Sequence, residues 1–289
     1  MSQYYRGVLL TFLSAAGFGL LPIFAVLAYK DGASPFTLLF WRFFWAGLIF
    51  QGYNYSVHQG FGITKKEIFY VLAMGVLYSM QSSFFFLSVK YISASLTSLI
   101  FYTYPALVAV LSSIVYKDRL GLKGILAVGL AFSGLILVLG NISGKLNPVG
   151  VVFALSTALV YSVYITLGKK VLAQIPAITA SSFIAVFAAA CFFVVGQVTG
   201  TLDFMPGEKV WLSISGIVVF STLLAMFTFF RGIELLGPAR ASIISMFEPV
   251  VTVIFAALLF SEKLTPGQVA GGVLVLFGAY LVVLPVKEV

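Results

Sequence analysis

The chain repeats itself 144 residues apart without a gap, and it does so in sequence too apolar for water. Laid over Thr228 to Val282, the stretch Phe84 to Val138 brings Pro105 onto Pro249 and Asp118-Arg119-Leu120 onto Glu262-Lys263-Leu264. Phe85-Phe86 falls on Phe229-Phe230, and Gly134 on Gly278. Identity elsewhere is sparse, and chance matches of Leu, Val and Ile are frequent in such a composition. The weight lies on unusual residues that keep step: a proline inside an apolar run, an acid–base–Leu corner, and a glycine in the run that follows. Duplication of a helical membrane chain is the usual architecture of a secondary transporter.

Only 9% of residues are charged and 61% are hydrophobic, against about 25% charged in a soluble domain. The apolar runs each reach the roughly 20 residues needed to cross a bilayer. The breaks between them predict an all-α multi-pass membrane protein with ten spans, at about 7–29, 34–54, 67–89, 92–115, 121–140, 148–168, 177–199, 210–235, 238–260 and 266–286, with ends uncertain by ~2–4 residues. Two five-span repeats follow, 1–140 and 141–289, joined at Asn141-Ile-Ser-Gly-Lys-Leu-Asn-Pro148. The first apolar run has no convincing small-residue cleavage site and reads as a retained helix.

The net charge of +8 is explained by lysine and arginine at cytoplasmic helix ends rather than by nucleic-acid binding. With the N-terminus inside, eleven basic residues fall on the inner side, among them Lys65, Lys66, Lys169, Lys170 and Arg231, and five on the outer side, among them Lys30 and Lys209. Both termini are therefore expected in the cytoplasm. An odd number of spans per copy gives the two copies opposite orientation. Such inverted copies can exchange conformations and open a central site to either side in turn.

Pro105 and Pro249 fall well inside the fourth and ninth expected spans. Each removes a helix hydrogen bond and clashes with the carbonyl four residues back, here Phe101 and Ser245. The matched pair is expected to act as hinges or as kinks lining a cavity, a stronger reading than two packing kinks. Glu248 lies ten residues into the ninth span, about 15 Å along a helix, near the midplane. A charge there costs at least ~2.5–3.5 kcal/mol. The side chain is therefore paired, protonated or facing a hydrated cavity, and it is a candidate proton or substrate partner. Its counterpart in the first copy is Tyr104. Arg42 is the other isolated charge. It is expected to counter Glu248, to contact a substrate carboxylate or to snorkel to the interface. Tyr78, Gln81, Ser82 and Phe85 share one helical arc, as do Ser95, Ser98, Tyr102 and Pro105, and as do Ser242, Ser245 and Pro249. These stripes suit either a cavity wall or close helix packing. Arg231 and Glu234, three residues apart, suit an interfacial ion pair.

No nucleotide loop, nucleophile elbow or metal-ligand spacing is present. Cys191 is alone, and the single histidine, His58, is expected in a loop. An enzyme, a cofactor and a metal are not expected. The expected partners are a small-molecule substrate, the bilayer and protons, with oligomeric state left open.

Glu248-Pro249-Val250, then Ser261-Glu262-Lys263-Leu264-Thr265, then Gly271-Gly272 and Gly278 resemble the EamA repeat of the drug/metabolite transporter superfamily. Tyr104-Pro105-Ala106 and Lys117-Asp118-Arg119-Leu120-Gly121 form a weaker copy. The resemblance covers nearly the whole chain. Phe18-Gly19 stands where that family often has Trp-Gly, and Tyr161 stands at the matching place in the second copy. Arg42 matches a frequent arginine of the second helix, which the seventh lacks. The resemblance implies ten helices and a central cavity walled by the third, fourth, eighth and ninth. It also implies transport of a small organic solute driven by an ion gradient or by exchange. The combined expectation is a secondary transporter for an amino acid or related metabolite, acting as an exporter by alternating access. A proton-coupled multidrug efflux permease and a solute-sensing membrane protein are the alternatives.

Overall fold

The structure is a computed structural model, and it describes residues 3–58, 63–89, 91–92, 94–117, 121–139, 147–260 and 265–283. The corners Asp118-Arg119-Leu120 and Glu262-Lys263-Leu264, the 141–146 linker, Ser261 and Lys90 lie outside those residues, as does the side chain of Ser95.

Every regular element among the described residues is helical. The bundle is apolar outside as well as inside, with small hydroxyls set among the buried apolar side chains. Leu122, Leu212, Leu258 and Ile114 are more than 70% exposed, while Thr11, Ser14, Ser88, Thr157, Ser162 and Ser242 are fully buried. Apolar side chains face outward because lipid covers them, and the small hydroxyls inside let helices approach and bond to backbone. Thr11 donates to Gly7 O at 2.9 Å and Ser162 to Ala158 O at 2.6 Å, each within its own helix.

Helix starts are set by local chemistry. At α4 (Lys65–Val89), Thr64 and Glu67 form a reciprocal capping box at 2.6 and 3.3 Å, which satisfies two otherwise orphaned donors. Thr265 and Gln268 do the same for α14 (Pro266–Val283) at 2.9 and 3.2 Å. Asn147 caps α8 (Pro148–Leu172) by accepting from the Val149 N–H at 2.9 Å.

The 144-residue displacement is visible in the helix limits. The pair α5 (Ala94–Phe101) and α6 (Tyr104–Tyr116) is matched by α12 (Pro238–Ser245) and α13 (Glu248–Phe260). Likewise α7 (Leu122–Leu139) is matched by α14. In both cases a proline-bearing rod breaks at the same two residues, Tyr102-Thr103 and Met246-Phe247. Matched helices also lie side by side. Gly134 on α7 meets Gly271 on α14, and a Cβ added to Gly134 would sit 2.5 Å from the Gly271 carbonyl oxygen. Further along, Gly278 meets Ala127, so the two helices run antiparallel. The helices α3 (Pro35–His58) and α9 (Ala177–Val198) do the same. Phe43 stacks on Phe192 at 5.9 Å, and Asn54 accepts from Thr179 at 2.7 Å.

Among the described residues, seven helices are long and apolar enough to cross a membrane, including Gln3–Lys30 and Glu208–Leu236. Leu122–Val138 and Pro266–Leu281 are shorter apolar helices. The 24-residue α3 is diluted by Arg42 and by the Gln51–Ser56 stretch.

Candidate functional site

The helix breaks put chemistry at bundle depth. Where α12 gives way to α13, Pro249 occupies the second position of the new helix and Glu248 the first. Helix α13 starts against α1 (Gln3–Gly19), where a Cβ on Gly19 would lie 2.7 Å from the Glu248 carbonyl oxygen. The Thr252 hydroxyl ties the two helices by donating to Gly19 O at 2.7 Å. The glycine of Phe18-Gly19 is thus required by backbone approach. Glu248 is half-buried. Tyr102, at the matched break between α5 and α6, donates to Glu248 Oε2 at 3.3 Å. Beside them Tyr104, 1% exposed, donates weakly to Ser242 O at 3.5 Å. Ser245 Oγ lies by the Tyr104 hydroxyl without hydrogen-bond geometry and is buried without a partner.

Arg42 is held elsewhere. The rod from α10 (Glu208–Val218) to α11 (Ala225–Leu236) widens at Val219–Leu224 into a π-helical turn. Such turns loosen the backbone ladder and occur often at functional sites. Here the loosened turn meets three neighbours. Arg42 Nε donates to Thr222 Oγ1 at 2.8 Å, and Nη2 donates to Ser221 O at 2.9 Å. Thr222 donates in turn to Ile217 O at 3.0 Å, and Ser221 to Gly17 O at 2.7 Å. The guanidinium also lies 4.7 Å from the Phe43 ring centre, a favourable place for a desolvated cation. Arg42 is only 2% exposed, so it does not snorkel. Nor does it pair with Glu248. The countercharge reading of these two residues is corrected: Arg42 bonds to Thr222 and Ser221 and Glu248 to Tyr102, while Arg231 pairs with Glu234 at 2.6 Å.

Between the two charges runs a line of rings. Tyr104 meets Tyr161 edge-on at 4.9 Å, and Tyr161 stacks on Tyr164 at 5.7 Å. Tyr164 meets Tyr78 at 5.6 Å, and Tyr78 meets Phe43 at 5.2 Å. Arg42, Tyr78, Tyr161 and Tyr164 border a small chamber closed from α1 and α11 by Phe18, Met226 and Phe229. Its free space is ≈ 10 Å³, about one water molecule.

The expected residues therefore form two groups. Glu248, Tyr102, Tyr104, Ser245, Pro105 and Pro249 gather at the paired breaks, and Arg42 and Tyr78 stand at the chamber. Gln81 is 8% exposed but belongs to neither group, and its amide oxygen accepts only from Ser82 at 3.3 Å. Thr222, Ser221 and Tyr164 were not foreseen. Tyr161 was read only as a replacement for tryptophan. Among the described residues no three His, Cys, Asp or Glu side chains cluster as metal ligands would.

The chain matches the EamA-like transporter family model twice, over residues 5–140 and 148–284. It belongs to the EamA-like transporter family. An uncharacterized transporter of Archaeoglobus fulgidus is 27% identical over 256 residues, covering 86% of this chain and 89% of the relative. The uncharacterized transporter YcbK of Bacillus subtilis is 27% identical over 259 residues, covering 84% and 82%. One solved crystal structure superposes with a TM-score of 0.81 at 17% identity, covering 96% of each chain, a likeness of fold. This EamA-like protein is a membrane transporter.

Proposed function

We propose that this EamA-like transporter moves a metabolite of amino-acid size outward by alternating access. On this reading it has ten spans, with α3, α7 and α14 completing the set. They form two five-helix halves, 1–140 and 141–289, of opposite orientation, and both termini are cytoplasmic. Support for the inversion is that the matched helices α7 and α14 lie antiparallel, as do α3 and α9. The chamber, with room for one water, reads as the closed member of a cycle whose other members open toward one face or the other.

One observation carries the proposal. A half-buried acid stands where a proline-bearing helix restarts, and a tyrosine from the matched break donates to it. Glu248 is the proton or substrate partner, Tyr102, Tyr104 and Ser245 its surroundings, and Pro105 and Pro249 the hinges. Arg42 and Tyr78 contribute from α3 and α4, and Gln81 stands apart from both groups. The test is Glu248→Gln in reconstituted vesicles, after a thermal-shift screen of metabolites has supplied a solute. Loss of pH-dependent flux with retained fold is the expected result. A purified variant that transports at the wild-type rate and pH dependence reduces Glu248 to a structural role.

A further inference from the structure

We infer that the chamber beside Arg42 is a subsite for a flat, apolar carboxylate, a monoanion that brings no cation of its own. The inference rests on the transport reading, because it takes the chamber as part of the solute's path.

The donors of Arg42 decide the chemistry. A guanidinium offers five N–H groups in a rigid fork. One edge is spent on Thr222 Oγ1 and Ser221 O, and both acceptors are uncharged. The other edge, Nη1 with the second hydrogen of Nη2, has no partner among the described residues, and Arg42 borders the chamber. A desolvated cation whose fork is half free and whose charge is unmatched suits a carboxylate, which accepts two parallel bonds. The π turn fixes the plane of the fork through its spent edge, so the fork is held before any solute arrives.

The walls decide the rest. Phe18, Phe43, Met226 and Phe229 supply apolar surface, and the stacked pair Tyr161 and Tyr164 lies nearly parallel at 13°. Ring faces of this kind favour a ring or a planar chain. No acidic side chain lines the chamber, and Glu248 is engaged by Tyr102 at the helix break. A substrate ammonium would therefore be desolvated there without a countercharge, which disfavours amines and zwitterions. A dianion would need a second cation, and Arg42 is the one cationic residue of the lining.

Three ring-matched probes of charge −1, 0 and +1 test the class: benzoate, benzamide and benzylamine, each added to the purified full-length protein in micelles. Thermal unfolding is followed with rising probe concentration. Benzoate is expected to raise the unfolding temperature, while benzamide and benzylamine leave it unmoved. In Arg42→Gln the apparent affinity for benzoate falls about 10- to 100-fold, the size of a lost charged hydrogen-bond pair. Arg42→Lys keeps the charge without the fork and falls between the two. Should Arg42→Gln fail to fold, the wild-type comparison of the three probes still decides. Equal stabilisation by benzylamine or benzamide overturns the class. So does a wild type that responds to none of the three, or a benzoate shift that survives Arg42→Gln. Vesicles that then carry a cationic or neutral solute in a Glu248-dependent way would leave the transport reading standing and remove only this subsite.

Discussion

Replacing Thr222 with valine isolates the bond network that fixes Arg42. Valine keeps the branched shape and removes one hydroxyl, fully buried in the wild type. That hydroxyl accepts from Arg42 Nε at 2.8 Å and donates to Ile217 O at 3.0 Å. Polar bonds between membrane helices average about 0.6 kcal/mol and reach about 1.7 kcal/mol. The bond from a charged donor belongs at the upper end, and a buried N–H left unpaired adds its own penalty. The expected loss is therefore about 1–3 kcal/mol. Thr228→Val is the matched control. Its hydroxyl is also hidden but donates only along its own rod, to Leu224 O at the end of the π turn at 2.8 Å and to Ala225 O at 3.3 Å. Those carbonyls keep their backbone partners, so the control should cost no more than about 0.5 kcal/mol. Reversible unfolding in mixed micelles with increasing dodecyl sulfate measures both. If the two variants agree within about 0.5 kcal/mol, Thr222 does not hold the arginine and the account of the π turn fails.

Three further outcomes follow from the packing. Gly134→Leu should destabilise by about 1–3 kcal/mol or more, because its Cβ would meet the Gly271 carbonyl, whereas Gly129→Leu has open space and should be near neutral in the same titration. Pro105→Ala combined with Pro249→Ala should lower the initial rate of solute counterflow several-fold while moving stability by less than about 1 kcal/mol, since proline near a helix start costs little; unchanged rates would sink the hinge role. Arg231→Ala breaks an ion pair whose side chains are 30% and 35% exposed, so its effect on unfolding should stay within about 0.5 kcal/mol.

Much of the scaffold was legible because it depends on rare residues. Two prolines 144 residues apart placed both helix breaks, and Glu248 stood out as a charge where hydrocarbon was expected. The π turn was not legible. Its sequence, Val219-Phe-Ser-Thr-Leu-Leu224, has no proline or glycine, and the matched stretch of α4 remains α-helical. The turn accompanies contacts from Arg42 and Gly17, roughly 180 and 200 positions away. Pairing Arg42 with Glu248 failed for a related reason. Hydropathy gives approximate depth but not the direction in which a helix faces, so two charges of similar depth looked like partners. Tyr164 escaped, and Tyr161 was read only as a replacement for tryptophan, because the ring cluster draws on α4, α6 and α8 and no single helix shows it.

The symmetry of the chain ends where its polar chemistry begins. Under the 144-residue shift Arg42 corresponds to Val186, Glu248 to Tyr104 and Thr222 to Tyr78. Each chemically distinctive group is thus present in one copy alone. The breaks at Pro105 and Pro249 and the antiparallel pairing of α7 with α14 follow the repeat closely. A carrier that alternates needs two conformations of nearly equal free energy, and matched copies supply them because each conformation is the other with the copies exchanged. A solute without twofold symmetry needs the reverse, groups that stand in one copy and not the other. On the proposed reading, substitutions at unmatched positions should change which solute moves, and substitutions at matched positions should change how fast any solute moves. A variant of Gly134 or Pro249 that switched substrate preference without slowing transport would break that division.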